Sequence, residues 1–336
     1  MISIIETDVP DLDWNKRLLK SGLGTIYQAK ERVDFLIAHG QLGKFIKFVD
    51  ENNQIIGQLL IRIDPRFNNQ NIRNKILNQL PFIKQKKCSW LYGPIIFDSS
   101  RSSEIFSTLK KFIDSKNYTT DGWTHPFCNY NLENFSQSFN LIEWGTYTIN
   151  LSKKKSEIYR NIAKHSGRKN IERSMKKGVS VEEITEDSLY EYYKLKTSTR
   201  ENSGQKTTDF ELMLKRWKQF KPLGFSGFIA KYEKIPIGGL LFTYYNDYII
   251  EIGVARSVKD RIENLYSQDL IKWKIIEWGI ENKMKYYDLA GFNPNPISKK
   301  EEGIIQFKKK WGGQIHHYYR ILDHPSNYIK ILRKMN

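Results

Sequence analysis

Alternation of apolar and polar positions is most regular at two places in the chain. Lys44-Phe-Ile-Lys-Phe-Val49 alternates, passes through Asp50-Glu-Asn-Asn53 and returns as Gln54-Ile-Ile-Gly-Gln-Leu-Leu-Ile-Arg-Ile63, which predicts a β-hairpin. Gly227-Phe-Ile-Ala-Lys-Tyr232 runs into Glu233-Lys-Ile-Pro236 and returns as Ile237-Gly-Gly-Leu-Leu-Phe-Thr-Tyr-Tyr245, predicting a second. Each returning strand has glycine just after an isoleucine. Each hairpin is followed by an apolar strand containing glycine, Trp90 to Phe97 and Tyr248 to Val254, and then by a helical pattern, Ser107 to Asp114 and Leu270 to Trp278. Short strands close both series, Tyr118 to Trp123 and Tyr286 to Gly291.

A series that occurs twice predicts an internal repeat, although any α/β chain can produce hairpin, strand, helix and strand in this order. The order matches the core of the GNAT acyltransferase fold twice over. The expected architecture is therefore α/β, with two tandem GNAT-like acyltransferase domains on mixed central sheets, divided as 1–150 and 151–336. A length of 336 residues agrees with two domains. Between the halves, Lys153 to Lys177 carries ten basic residues against Glu157 and Glu172. Ile158, Ile162, Ile171 and Met175 form an apolar stripe beneath them, so this is an expected basic amphipathic connector helix opening the second domain.

Charge sharpens the picture. Lys and Arg number 54 against 37 Asp and Glu, a formal net charge of +17, which favours a polyanionic partner: RNA, an anionic lipid surface or a phosphorylated substrate. The connector is either a phosphate-contacting segment or a solvated charged face. Cys88 and Cys128 have neither metal-ligand nor CxxC spacing, which fits a reducing compartment without a zinc site or disulfide framework. The first residues lack a basic n-region and reach Glu6 and Asp8 before an apolar core develops, so no signal peptide is expected. The most apolar stretch, Ile235 to Ala255, is interrupted by Asn246, Asp247 and Glu251. A cytoplasmic location is expected, with peripheral contact at the inner face of the plasma membrane allowed.

The chain lacks a GxSxG elbow, HExxH, a Walker loop and GxGxxG, which removes support for hydrolase, zincin, P-loop and dinucleotide functions. A CoA-dependent enzyme of GNAT type needs backbone N–H groups free to hold a pyrophosphate where the helix after the central strand begins. Here that junction, Val254 to Leu265, has no glycine.

Two C-terminal segments carry a family resemblance. Tyr287-Asp-Leu-Ala-Gly291 and Phe307-Lys-Lys-Lys-Trp-Gly-Gly313 resemble the YDxxG and FKxxFGG signatures of the Fem family, enzymes that build peptidoglycan interpeptide bridges. Leu265 to Trp278 resembles the family's helix before YDxxG, Arg168 to Val181 its basic connector, and Tyr92-Gly-Pro94 a weaker N-terminal match. The resemblance implies a tRNA-dependent aminoacyltransferase with no cofactor and no metal. It would act as a monomer on aminoacyl-tRNA and a lipid-linked or UDP-linked peptidoglycan precursor, adding glycine ahead of alanine or serine. The chain has no room for the helical arm of many members. Where relatives show Tyr-x-Tyr-Gly, it has Ile250-Glu251-Ile252-Gly253. An acyl-CoA-dependent N-acyltransferase acting on a cell-surface glycan and a non-catalytic RNA-binding protein are the alternatives.

Aminoacyl-tRNA is already an activated ester, so the acceptor amine can attack it directly. Catalysis then reduces to juxtaposition and oxyanion stabilisation. By resemblance, Lys308 is the cation at the oxyanion or at the 3′-end phosphate, unless it is one surface lysine in the run Lys308 to Lys310. Asp288 would hold Lys308, orient the amine or merely cap its strand. The resemblance places Phe307, Arg168 and Arg200 in substrate binding, with Arg200 at a phosphate-contacting position or a solvated helix end. Gly291 is a substrate contact or a backbone device. His316 and His317, adjacent on a strand, face opposite sides and are structural.

Overall fold

The computed structural model describes residues 1–65, 86–128, 130, 138–207 and 209–323. The elements in chain order are β1 (Ser3–Thr7), α1 (Trp14–Lys20), α2 (Arg32–Ala38), β2 (Leu42–Val49), β3 (Ile55–Pro65), β4 (Lys86–Trp90), β5 (Ile95–Ile96), α3 (Ser102–Ser115), β6 (Tyr118–Trp123) and β7 (Asn140–Asn150). They continue with α4 (Lys155–Asn161), α5 (Lys169–Lys176), β8 (Ser180–Glu183), α6 (Leu189–Glu201), α7 (Phe210–Gly224), β9 (Phe225–Tyr232), β10 (Ile235–Tyr245) and β11 (Tyr248–Arg256). Last come α8 (Val258–Ile262), α9 (Ser267–Glu281), β12 (Tyr286–Asp288), α10 (Lys299–Lys309) and β13 (Gln314–Leu322).

Two compact units result: Met1–Trp144 with the chain from His317 on, and Gly145–His316. The sequence suggested one boundary at residue 150; the structure places the last strand with the first unit, because Arg320, Ile321 and Leu322 pair antiparallel with Trp123, Gly122 and Asp121. In the first unit the strand order is β1-β2-β3-β4-β6-β13. In the second it is β8-β9-β10-β11-β12-β7. Position by position the two agree, with one parallel pair in each, β4 with β6 and β11 with β12. The repeat is real, and both sheets are of the tandem GNAT kind.

Local chemistry sets the hairpins. Glu233 and Lys234 (φ 52° and 63°) and Asn246 and Asp247 (φ 50° and 62°) form two-residue turns in the left-handed region, whose twist matches that of the flanking strands. Trp90 to Phe97 is not one strand: β4 ends at Trp90, the chain turns through Tyr92 (φ 54°), and Ile95–Ile96 pairs back onto β3. The core of the first unit lies under α3, where Ile105, Phe106, Leu109 and Ile113 meet Ile61, Ile63, Cys88 and Trp90. That of the second unit gathers Ile158, Ile162 and Ile171 with Leu270, Ile271, Ile275, Ile276 and Tyr287. The connector is two helices joined by a π-turn over Lys164–Arg168. Beyond it Ser174, three residues after the buried Ile171, takes the inward position, and Met175, expected in the apolar stripe, is 50% exposed.

Candidate active site

β11 and β12 run side by side over only three residue pairs, Tyr248–Ile250 against Tyr286–Asp288. β12 then stops, while β11 continues to Arg256. A bulge bends β11 at this point, since its partnering with β10 steps from Leu241↔Gly253 to Phe242↔Glu251. Parallel strands that part at their carboxyl ends leave a crevice of the kind where α/β sheets bind ligands.

Asp288 sits at the fork. Its buried carboxylate accepts hydrogen bonds from Thr146 Oγ1, from the Tyr248 hydroxyl (2.6 Å) and from the Ala290 amide (2.8 Å). Burial pushes its pKa up; the hydrogen bonds and the nearby charge of Lys308 oppose that rise. The amide bond fixes Ala290 in the left-handed region (φ 63°). The resulting turn aims three carbonyl oxygens at one point: Lys308 Nζ donates to Leu289 and Ala290 at 2.6 Å and to Gly291 at 3.1 Å. An ammonium has three donors, so all are engaged. Burial lowers the Lys308 pKa to about 8; the charges of Glu251 and Asp288 work against that shift and Lys272 works with it.

Lys308 is delivered by α10, which starts on a Ser298 side-chain cap to the Glu301 amide (3.3 Å) and has Glu301 and Glu302 in its first turn. Beside it the Phe307 ring lies between two ammonium groups, Lys310 at 4.0 Å and Lys272 at 5.6 Å from its centroid. Each of those lysines is paired. Lys272 bonds Glu251, which also accepts from the Tyr287 hydroxyl, and Lys310 bonds Asp269. Two of the lysines thus pair with buried carboxylates and the third, Lys308, with carbonyl oxygens, which satisfies charges that would be very costly alone.

Lys308, Asp288, Gly291 and Phe307 therefore converge, while the two arginines stand elsewhere in the same unit. Asp288 forms no direct ion pair with Lys308; it acts through the turn. Gly291 serves through its backbone carbonyl. The lysine run is not uniform: Lys309 is exposed, whereas the side chain of Lys310 is only 10% exposed and is committed to Asp269. Arg168 Nε donates to the Ile162 carbonyl (3.1 Å) on the connector. Arg200 ends α6 on the sheet face that holds Tyr192, whose hydroxyl donates to the Gly253 carbonyl (3.2 Å). Arg200 and Arg216 both act electrostatically on that phenol, and the buried Nε of each has no hydrogen-bond partner among the described residues.

Sequence reasoning missed Glu251, Lys272, Asp269 and Arg216. A charged residue inside an apolar strand and an Asp269/Lys272 pair inside an apolar helix were the signals available.

The start of α9 bears on the donor. The Ser267 amide donates to Asp260 Oδ1 (2.9 Å), Gln268 Nε2 to the Ala255 carbonyl (2.8 Å), and Asp269 occupies the first turn. A pyrophosphate there would meet two buried carboxylates. Cys88 and Cys128 are poor nucleophiles: burial raises the Cys88 thiol far above its ordinary value and that of Cys128 to about 11. A cavity of about 120 Å³ in the first unit, lined by Tyr27, Arg32, Arg62, Trp90, Asp121 and Trp123 among others, contains none of the sequence-predicted residues.

The fork, the turn and α10 all fall within one stretch of sequence that matches a known family. Residues 223–330 match the FemAB family. The FemAB stretch contains Glu251, Asp269, Lys272, Asp288 and Lys308. Across its length the chain is similar to the crystal structure of FemX, at 12% identity and a TM-score of 0.69, covering 98% of this chain and 99% of that one. It is also similar to L-PGS from Bacillus licheniformis (11% identity, TM-score 0.56, 97% and 96% covered). A third similar structure is a tandem GNAT protein from the clavulanic acid biosynthesis pathway (8% identity, TM-score 0.55, 97% and 100% covered). At these identities the likeness establishes the tandem GNAT fold. No curated protein matches the sequence significantly.

Proposed function

We propose that this protein transfers an aminoacyl group from tRNA to an amine on the stem peptide of a peptidoglycan precursor, glycine being preferred ahead of alanine or serine. The observation that carries this is the Lys308 ammonium, held by three carbonyls at the fork of β11 and β12 within the FemAB stretch. The acceptor amine attacks the ester carbonyl and a C–N bond forms. The tetrahedral oxyanion collapses, the C–O bond to the tRNA ribose breaks, and that oxygen leaves with the proton lost by the amine. Lys308 stabilises the oxyanion by its charge; a direct hydrogen bond needs one carbonyl to be given up. Arg200, joined by Arg216, supplies cations for a substrate phosphate, and Arg168 with the first part of the connector, up to Lys169, faces the tRNA backbone. The carboxylates at the start of α9 disfavour an acyl-CoA donor.

Incubation with charged tRNA and purified lipid-linked or UDP-linked precursor, read by mass spectrometry, tests this directly. A precursor heavier by one aminoacyl residue supports it; product formed only with acyl-CoA overturns it. Because Lys308 must be charged and its pKa is lowered to about 8, transfer is expected to fall as pH rises through about 8. In Lys308→Arg, any remaining transfer should lose that fall, since guanidinium does not titrate there. A wild-type pH profile flat through that range would remove Lys308 from the mechanism.

Binding of tRNA should depend steeply on salt. If about four phosphates are neutralised, affinity is expected to drop roughly a hundredfold between about 50 and 200 mM salt. Filter binding across that range checks it, and a salt-independent affinity would count against the connector as the contact.

A further inference from the structure

α8 is a short helix whose aliphatic side chains point away from the core: Val258 is 47% exposed and Ile262 74%. Four residues apart, they share a face. Met175, also exposed, lies in the last turn of α5. Two residues later, Lys177 donates to the carbonyls of Glu263 (2.5 Å) and Asn264 (3.3 Å), which ties the end of α5 to the end of α8. Arg173 and Lys176 on α5 and Arg261 on α8 are exposed as well, and none forms an ion pair among the described residues. The acidic groups nearby are engaged. Glu233 and Glu263 lie 3.0 and 3.9 Å from Lys259, Glu172 accepts from the Tyr159 hydroxyl, and Asp260 is buried beneath Arg256. The face is therefore cationic with an aliphatic centre. Single exposed apolar residues are ordinary; apolar tips ringed by unpaired cations are the composition of a bilayer-docking surface.

We propose that this face docks onto an anionic lipid bilayer, with Val258, Ile262 and Met175 entering the headgroup region and Arg173, Lys176, Lys177 and Arg261 engaging lipid phosphates. Among the described residues no helix is long and apolar enough to cross a membrane, so the association is peripheral. An RNA backbone would neutralise the same cations but offers nothing to Ile262. α8 follows β11 directly, at the end of the sheet where β11 and β12 part, so docking would bring a lipid-borne group toward that fork. The docking itself does not depend on the transfer reaction.

Sedimentation with vesicles tests the proposal on the full chain. The protein is expected to bind phosphatidylcholine vesicles containing phosphatidylglycerol and to ignore phosphatidylcholine alone. Arg173→Gln with Lys176→Gln should weaken vesicle binding by about 25-fold, about fivefold for each cation removed from an anionic surface. Val258→Asp with Ile262→Asp, both at exposed positions, should weaken vesicle binding by at least about tenfold and leave tRNA affinity unchanged. Circular dichroism confirms that each variant is folded. Equal binding to neutral vesicles, or none to anionic ones, overturns the proposal. So does an aspartate variant that keeps its vesicle affinity while the glutamine variant loses vesicles and tRNA alike, which would make this an RNA face.

Discussion

Lys308→Met is expected to slow aminoacyl transfer by about a hundred- to a thousandfold. The ammonium is the group best placed to meet negative charge developing at the fork, and loss of one preorganised oxyanion partner costs roughly 2.7–4 kcal/mol. That barrier change corresponds to the stated loss of rate. Met keeps the apolar stem, so the charge is what is removed. The substitution also leaves the carbonyls of Leu289, Ala290 and Gly291 without their common donor, and each such group that stays dry costs about 1–3 kcal/mol. A thermal melt beside the rate therefore separates a loosened turn from a lost charge. Lys309→Met is the control, because Lys309 is exposed. Lys310→Met is not, since it would strip a buried Asp269 of its partner. A folded Lys308→Met variant whose transfer rate is no lower than that of Lys309→Met would return Lys308 to the surface charge.

The largest loss of stability is expected from Lys272→Met. Lys272 and Glu251 are 3% and 6% exposed and bonded to each other, so the substitution strands a buried carboxylate whose remaining described partner is the Tyr287 hydroxyl. Breaking a buried pair on one side typically costs about 3–5 kcal/mol, whereas replacing both partners by groups of similar shape is often close to neutral. Lys272→Met combined with Glu251→Gln should therefore recover much of what the single change loses. Urea denaturation of the three proteins measures this. A single variant as stable as the parent, or a double variant no better than the single, would show that the pair is not the fastening it appears from its burial.

The fold was legible wherever a pattern is local. Two-residue turns and alternating strands place both hairpins, and the parallel order of the two halves announces the repeat. Trp90 to Phe97 misled because its apolar run hides a turn at Tyr92-Gly93-Pro94, where the Gly-Pro pair was the signal available. Met175 misled because the positions three and four after a buried residue both suit an inward face, and after Ile171 the one that packs is Ser174. At the site, motif spacing located Lys308 and Asp288. It could not show that they meet through a backbone turn, because that link is made by carbonyls, which every residue has. Glu251 and Lys272 were hidden for the opposite reason: they are 21 positions apart, and only the packing of α9 on β11 makes them partners.

Each sheet has a sixth strand that lies apart in sequence from the hairpin, strand, helix and strand beside which it sits. For the second unit this is β7, made before the rest of its sheet; for the first it is β13, made after everything else. On the ribosome the second unit can close as soon as residue 316 has emerged. The first unit, although synthesised earlier, must wait with one edge of β6 lacking its β13 partners and the place of Ile321 in its core empty. Protein truncated just before His317 would thus leave the N-terminal unit without its sixth strand and one core residue rather than without a tail, and the half that is translated first is the half that is finished last.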